Sequence, residues 1–88
     1  MLIETSRDNA CKEAFRQQAI AAGVADECVI DKEGYAEIGL VAGCFKGKDG
    51  WVVYCTDERC EVYNEDVRDT CVEAYKELGE RFGFYFKF

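Results

Sequence analysis

Histidine and proline are absent from these 88 residues, and serine occurs once, as Ser6. Each shortage removes a class of function. Without histidine there is no Ser-His-Asp triad, no Cys–His dyad and no His-ligated metal centre. Without proline there is no stiff Pro-rich linker. No repeat or low-complexity segment marks a second unit, so residues 1–88 read as one domain. A membrane-spanning helix needs about 20 consecutive apolar residues, and no run comes near that. The opening Met-Leu-Ile-Glu-Thr-Ser-Arg-Asp lacks the basic segment, apolar run and small-residue cleavage site of a signal peptide. A cytoplasmic location is therefore expected.

Positive charge is also scarce. Eleven Lys and Arg face eighteen Asp and Glu, a net charge of −7. Nucleic acid binding through phosphates needs a cationic surplus, so neither nucleic acid nor membrane is expected as a partner. A basic protein would instead be steered in by the long-range field. The bland alternative is that the charge only keeps a small protein soluble. Glycines form no phosphate loop, because Gly47-Lys48 lacks the preceding glycine-rich run.

Six cysteines are present: Cys11, Cys28, Cys44, Cys55, Cys60 and Cys71. They sit in or beside periodic apolar segments, and free cysteine is among the most buried residue types. Reduced core thiols are expected. No Cys-x-x-Cys pair suggests zinc, and no cofactor is expected. Cys55 and Cys60 face each other across a predicted hairpin and are the best disulfide candidates.

The apolar fraction, 49%, supports a real core. Residues 8–23 carry Cys11, Ala14, Phe15, Ala19 and Ala22 at helical spacing, with Ser6 or Asp8 as cap and Gly23 as stop. Residues 27–31 form a short β-branched run. Residues 35–45 read as a bent or bulged strand broken by Gly39 and Gly43. Trp51–Thr56 alternates cleanly, with apolar groups on both faces, and reads as a central strand. A turn at Asp57-Glu58-Arg59 leads to a strand over 60–63. Asn64 then reads as the N-cap of a second helix ending near Phe82, with Val67, Cys71, Ala74, Tyr75, Leu78 and Phe82 as its stripe. Phe84–Phe88 alternates and predicts a last short strand, or a tail that docks a partner. The expected class is α+β: an antiparallel sheet of three to five strands flanked by an N-terminal and a C-terminal helix.

Asp57, Glu58 and Glu61 cluster at the hairpin. With no pocket to raise one carboxyl pKa, they read as a charged rim and not as acid–base machinery. Tyr35, Tyr54 and Tyr63 lie near in sequence pattern, and tyrosine offers contact area at low entropic cost. The expected binding set is Tyr35, Glu37, Tyr54, Asp57, Glu58, Arg59, Glu61 and Tyr63, on a monomer or weak dimer, without enzymatic activity.

The segment Gly50-Trp-Val-Val-Tyr-Cys-Thr-Asp-Glu-Arg59, followed by a strand and a helix bearing Cys71-Val-Glu-Ala-Tyr75, resembles the immunity protein 59 family of bacterial polymorphic toxin systems. The resemblance spans residues 26–82. Cys60 and Val67 stand where its pattern leads one to expect glycine and phenylalanine. It implies a small cytosolic protein that binds and neutralises a cognate toxin. Two other classes fit composition alone: a phage-type inhibitor, such as an anti-CRISPR protein, using a continuous acidic stripe on the second helix, and a small cysteine-based metal or redox protein.

Overall fold

The computed structural model describes residues 5–30 and 32–88. Among these residues the order is helix α1 (Ser6–Ala21), a 3-10 turn (Ala25–Glu27), strands β1 (Cys28–Val29), β2 (Ala42–Lys46), β3 (Trp51–Thr56) and β4 (Val62–Arg68), then helix α2 (Cys71–Arg81). The four strands form one sheet in the order β1-β2-β3-β4. The class is α+β, as the patterning predicts. Asp31, the end of the predicted run 27–31, lies outside the described residues.

Both helices begin with the same local device. Thr5 accepts a hydrogen bond from the Asp8 backbone N–H, and the Asp8 carboxylate accepts from the Thr5 N–H, a reciprocal capping box. Thr70 likewise accepts from the Glu73 backbone N–H at 3.2 Å. The caps are thus Thr5 and Thr70, not Ser6, Asp8 or Asn64. Gly23 does take the left-handed conformation expected after a helix end, with φ 78°.

The largest correction concerns residues 62–70. The predicted helix from Asn64 is an edge strand as far as Arg68, and α2 starts only at Cys71. Cross-strand partners explain this. Val67 lies opposite Val52, Asp66 opposite Val53 and Arg68 opposite Trp51, and such pairs are the unit of sheet stabilisation. Asn64 has φ 53° where the β3–β4 register shifts. Asparagine tolerates that left-handed geometry and so serves a bulge here, not a cap.

The sheet is mixed, which corrects the purely antiparallel expectation. β1 pairs with β2 in parallel, while β2–β3 and β3–β4 are antiparallel. A hairpin from β1 would give antiparallel strands. The long connection between Val29 and Ala42 instead crosses the sheet and returns in the same direction.

The main core lies between β2–β3 and the helices. Phe15, Cys11 and Ala19 of α1 meet Ala74, Tyr75 and Leu78 of α2 above Cys44, Trp51 and Val53. Phe84–Phe88 forms no strand. Phe86 is fully buried against Phe15 and Tyr75, at ring separations of 5.3 and 6.4 Å. Lys87 exchanges backbone bonds with the Gln18 side-chain amide, 2.6 and 2.9 Å. The tail is therefore part of the core layer. On the other face, Tyr54, Ala36 and Val41 form a second small cluster, covered by the β1–β2 connection.

Candidate functional site

Gly39 and Gly43 position that connection by close approach, not by bulging a strand. A Cβ on Gly39 would meet the Asp57 carbonyl at 2.6 Å, and one on Gly43 would meet the Tyr54 hydroxyl at 2.6 Å. Tyr54 stacks over Gly43, its cross-strand partner. Its hydroxyl oxygen accepts the Ala36 N–H at 2.9 Å, and burial pushes its phenol above the usual range. Thr56 Oγ1 completes the tether, bonding Ile38 O at 2.9 Å and Val41 N at 3.1 Å. The connection is held between Ala36 and Val41, and Ile38 and Leu40 are left facing out, at 59% and 71% exposure.

The eight expected binding residues divide into four groups. Asp57, Glu58, Arg59 and Tyr63 do converge. With Leu40 they line a groove of about 410 Å³ at the β3–β4 turn. Leu40 is held there by its N–H bond to Asp57 O, 3.2 Å. Glu37 and Glu61 are exposed beside this end of the sheet, one on the connection and one on the turn. Tyr35 belongs elsewhere: it sits on the face away from the helices, edge-on to Phe45 and Tyr54, with its hydroxyl donating to Glu65. Tyr54 is a correction. It is fully buried, so it supports the loop and presents nothing to a partner.

Within the turn, Asp57 has a structural task. Its Oδ1 accepts the backbone N–H groups of Arg59 and Glu61 at 2.8 and 3.0 Å, the self-bonding that makes aspartate a turn residue. Glu58 and Glu61 project into solvent, so they carry the outward charge. Cys60 occupies the left-handed position of the turn, φ 66°, and is exposed. Cys55 lies on β3 with its sulfur accepting from Arg81 Nη1 at 3.3 Å. Both are free thiols, so this pair, the best candidate for a disulfide, forms none.

Leu40 and Tyr63 also line a second groove, of about 220 Å³, shared with Cys55, Arg81 and Phe82. They therefore stand between an acidic trough and a more apolar one. Pattern reading missed Leu40, because nothing in its neighbours announces its φ of 61°. It missed Glu65 and Val67 because it placed the helix start too early, at Asn64. β4 is exposed along its whole length.

The α2 acidic stripe is interrupted at its centre. Glu77 is only 13% exposed and lies between two arginines: its Oε1 accepts from Arg68 Nε at 2.6 Å and its Oε2 from Arg81 Nη2 at 2.6 Å. Arg81 also reaches Asp66 at 3.2 Å. The opposite end of the sheet is richer in cations, with Arg7, Lys46 and Lys48 gathered beside Asp8 and Asp69 around the start of α2.

The other cysteines are shielded to different degrees. Burial, then the Glu27 carboxylate, push the Cys28 thiol up to about 11. Burial raises Cys44, and the hydrogen bond shared with Cys11, then burial, raise Cys71. Among the described residues no group of three His, Cys, Asp or Glu side chains converges as a metal site would. No helix among them is long and apolar enough to cross a membrane.

No protein-family model matches this chain, and neither a curated protein nor a solved structure matches it.

Proposed function

We propose that this chain is a cytoplasmic immunity protein that binds a basic bacterial toxin and neutralises it through the acidic end of its sheet. One observation carries the reading. Glu58 and Glu61 flank exposed Leu40 and Tyr63 at a rigidly tethered turn. Apolar and aromatic anchors inside a charged rim are the usual anatomy of a protein-binding surface. Net charge −7 supplies attraction to a basic partner over distance. Tethering by Tyr54, Thr56 and Asp57 means the surface is pre-organised, which lowers the entropic cost of binding.

The nucleic-acid-mimic reading draws less support, because two arginines neutralise Glu77 in the middle of the α2 stripe. Growth protection tests the proposal. The toxin gene expected immediately upstream is expressed with and without this chain. Restored growth together with a purified one-to-one complex supports the reading. A toxin that kills equally in both cultures, with no complex, sinks it.

A further inference from the structure

The outer edge of β4 has a definite hydrogen-bonding polarity. Thr56 N–H bonds Val41 O at 2.8 Å, and Gly47 N–H bonds Gly50 O at 2.7 Å. Each bond joins the pair that continues the β2–β3 register one step beyond its end, past Ala42–Cys55 and past Lys46–Trp51. Antiparallel ladders alternate, so Val52, Tyr54 and Thr56 direct their backbone groups toward β2. Trp51, Val53 and Cys55 direct theirs toward β4. Their partners Arg68, Asp66 and Tyr63 therefore point back at β3. Val62, Glu65 and Val67 are left with N–H and C=O groups facing outward. Among the described residues no strand lies beyond β4.

An open edge invites another strand, and natural edges are blunted against it. Here the bulge at Asn64 leaves Glu65–Arg68 as the regular portion. Charge decides what can pair with it. Glu61, Glu65, Asp66 and Asp69 surround a single arginine, Arg68. A second copy would bring these acids against themselves, and like charges placed opposite are destabilising. An extended cationic segment meets the reverse situation. On the face away from the helices it would find Glu65 flanked by Val62 and Val67, exposed at 38% and 53%. Asp66 and Arg68 lie on the other face, already neutralised by Arg81 and Glu77.

From this geometry we infer that β4 receives an extended basic segment of a protein partner as a fifth strand. The inference deepens the proposed function and rests on its choice of a basic protein partner. Main-chain bonds to Glu65 and Val67 would supply affinity, and Glu65 would select lysine or arginine.

The test uses the intact chain and a capped heptapeptide of alternating lysine and valine, with a glutamate-for-lysine version as control. Amide hydrogen exchange is read by NMR. The lysine peptide should slow exchange about tenfold or more at Glu65 and Val67. Asp66 and Arg68 amides, already bonded to β3, should stay as they were, and the glutamate peptide should do nothing. Val67→Pro removes an outward N–H but no β3 bond, so it should still unfold cooperatively, with a melting temperature lowered only by the lost Val52 contact, and should lose the peptide effect at Glu65. Protection absent from β4, or equal with the glutamate peptide, overturns the inference. So does β4 protection that appears without peptide as protein concentration rises, which would mean self-pairing. Growth protection with unprotected β4 amides removes the strand addition alone. Peptide docking without growth protection removes the toxin reading alone.

Discussion

Replacing Phe86 by alanine asks whether the C-terminal tail belongs to the core or waits for a partner. The ring is 1% exposed and touches Phe15 and Tyr75. Truncating a buried phenylalanine costs about 3–5 kcal/mol, counting lost transfer energy and the cavity left behind. At roughly 0.05–0.15 kcal/mol per residue, a chain of this length has about 4–13 kcal/mol in total. Phe86→Ala should thus remove about a quarter or more of the stability. With an m-value near 1–3 kcal/mol/M, the urea midpoint should fall by at least ~1 M. Tyr85→Ala is the internal control, since Tyr85 is 68% exposed and should change stability by less than about 0.5 kcal/mol. Equilibrium urea unfolding of the three proteins, followed by tryptophan fluorescence from Trp51, gives the comparison. A Phe86→Ala loss below about 1 kcal/mol would refute the packing argument and return the tail to the role of a free docking element.

Other perturbations probe the supports of the site. Tyr54→Phe leaves the Ala36 N–H without its buried partner and should cost about 1–3 kcal/mol in urea unfolding; an unchanged midpoint would mean the loop is not tethered there. Thr70→Ala removes the α2 cap and should cost about 1 kcal/mol, measurable as a lower melting temperature. A thiol reagent at pH 8 should label Cys60 first, as the exposed cysteine. Cys28, with its pKa pushed up to about 11, holds roughly 200-fold less thiolate there than a free cysteine and should lag well behind. Equal rates at the two would contradict that ordering.

The legible and illegible parts of this chain differ in how local their causes are. β3 is legible because Trp51–Thr56 alternates and its turn residues flank it. α1 is legible because Cys11, Phe15 and Ala19 repeat at helical spacing. β4 is not, because Asn64-Glu-Asp-Val-Arg68 is polar and resembles a capped first turn. Its strand state comes from partners far along the chain, Val52 and Trp51 among them. A local signal did exist in Thr70-x-x-Glu73, the same pattern as Thr5-x-x-Asp8, and it marks the true helix start. The parallel β1–β2 pair was not legible, since the path of the long connection depends on Gly39 and Gly43 meeting distant atoms.

Within the site, the acidic turn could be read directly, because Asp57-Glu58-Arg59 is turn chemistry in sequence. The fate of its tyrosines could not. Alternation places Tyr54 on a face but does not say that a loop will cover that face. Tyr35 and Tyr63 end on opposite sides of the sheet for the same reason: their positions depend on the crossing of the connection and on the Asn64 bulge.

The most direct test of the binding surface is calorimetric titration of the cognate toxin into wild type and into Glu58→Lys/Glu61→Lys. Asp57 is spared because it holds the turn. The double variant should keep its fold, bind about tenfold or more weakly, and lose most of the salt dependence that wild type shows. Equal affinity and equal salt dependence in the two proteins would contradict the acidic end of the sheet as the surface that captures the toxin.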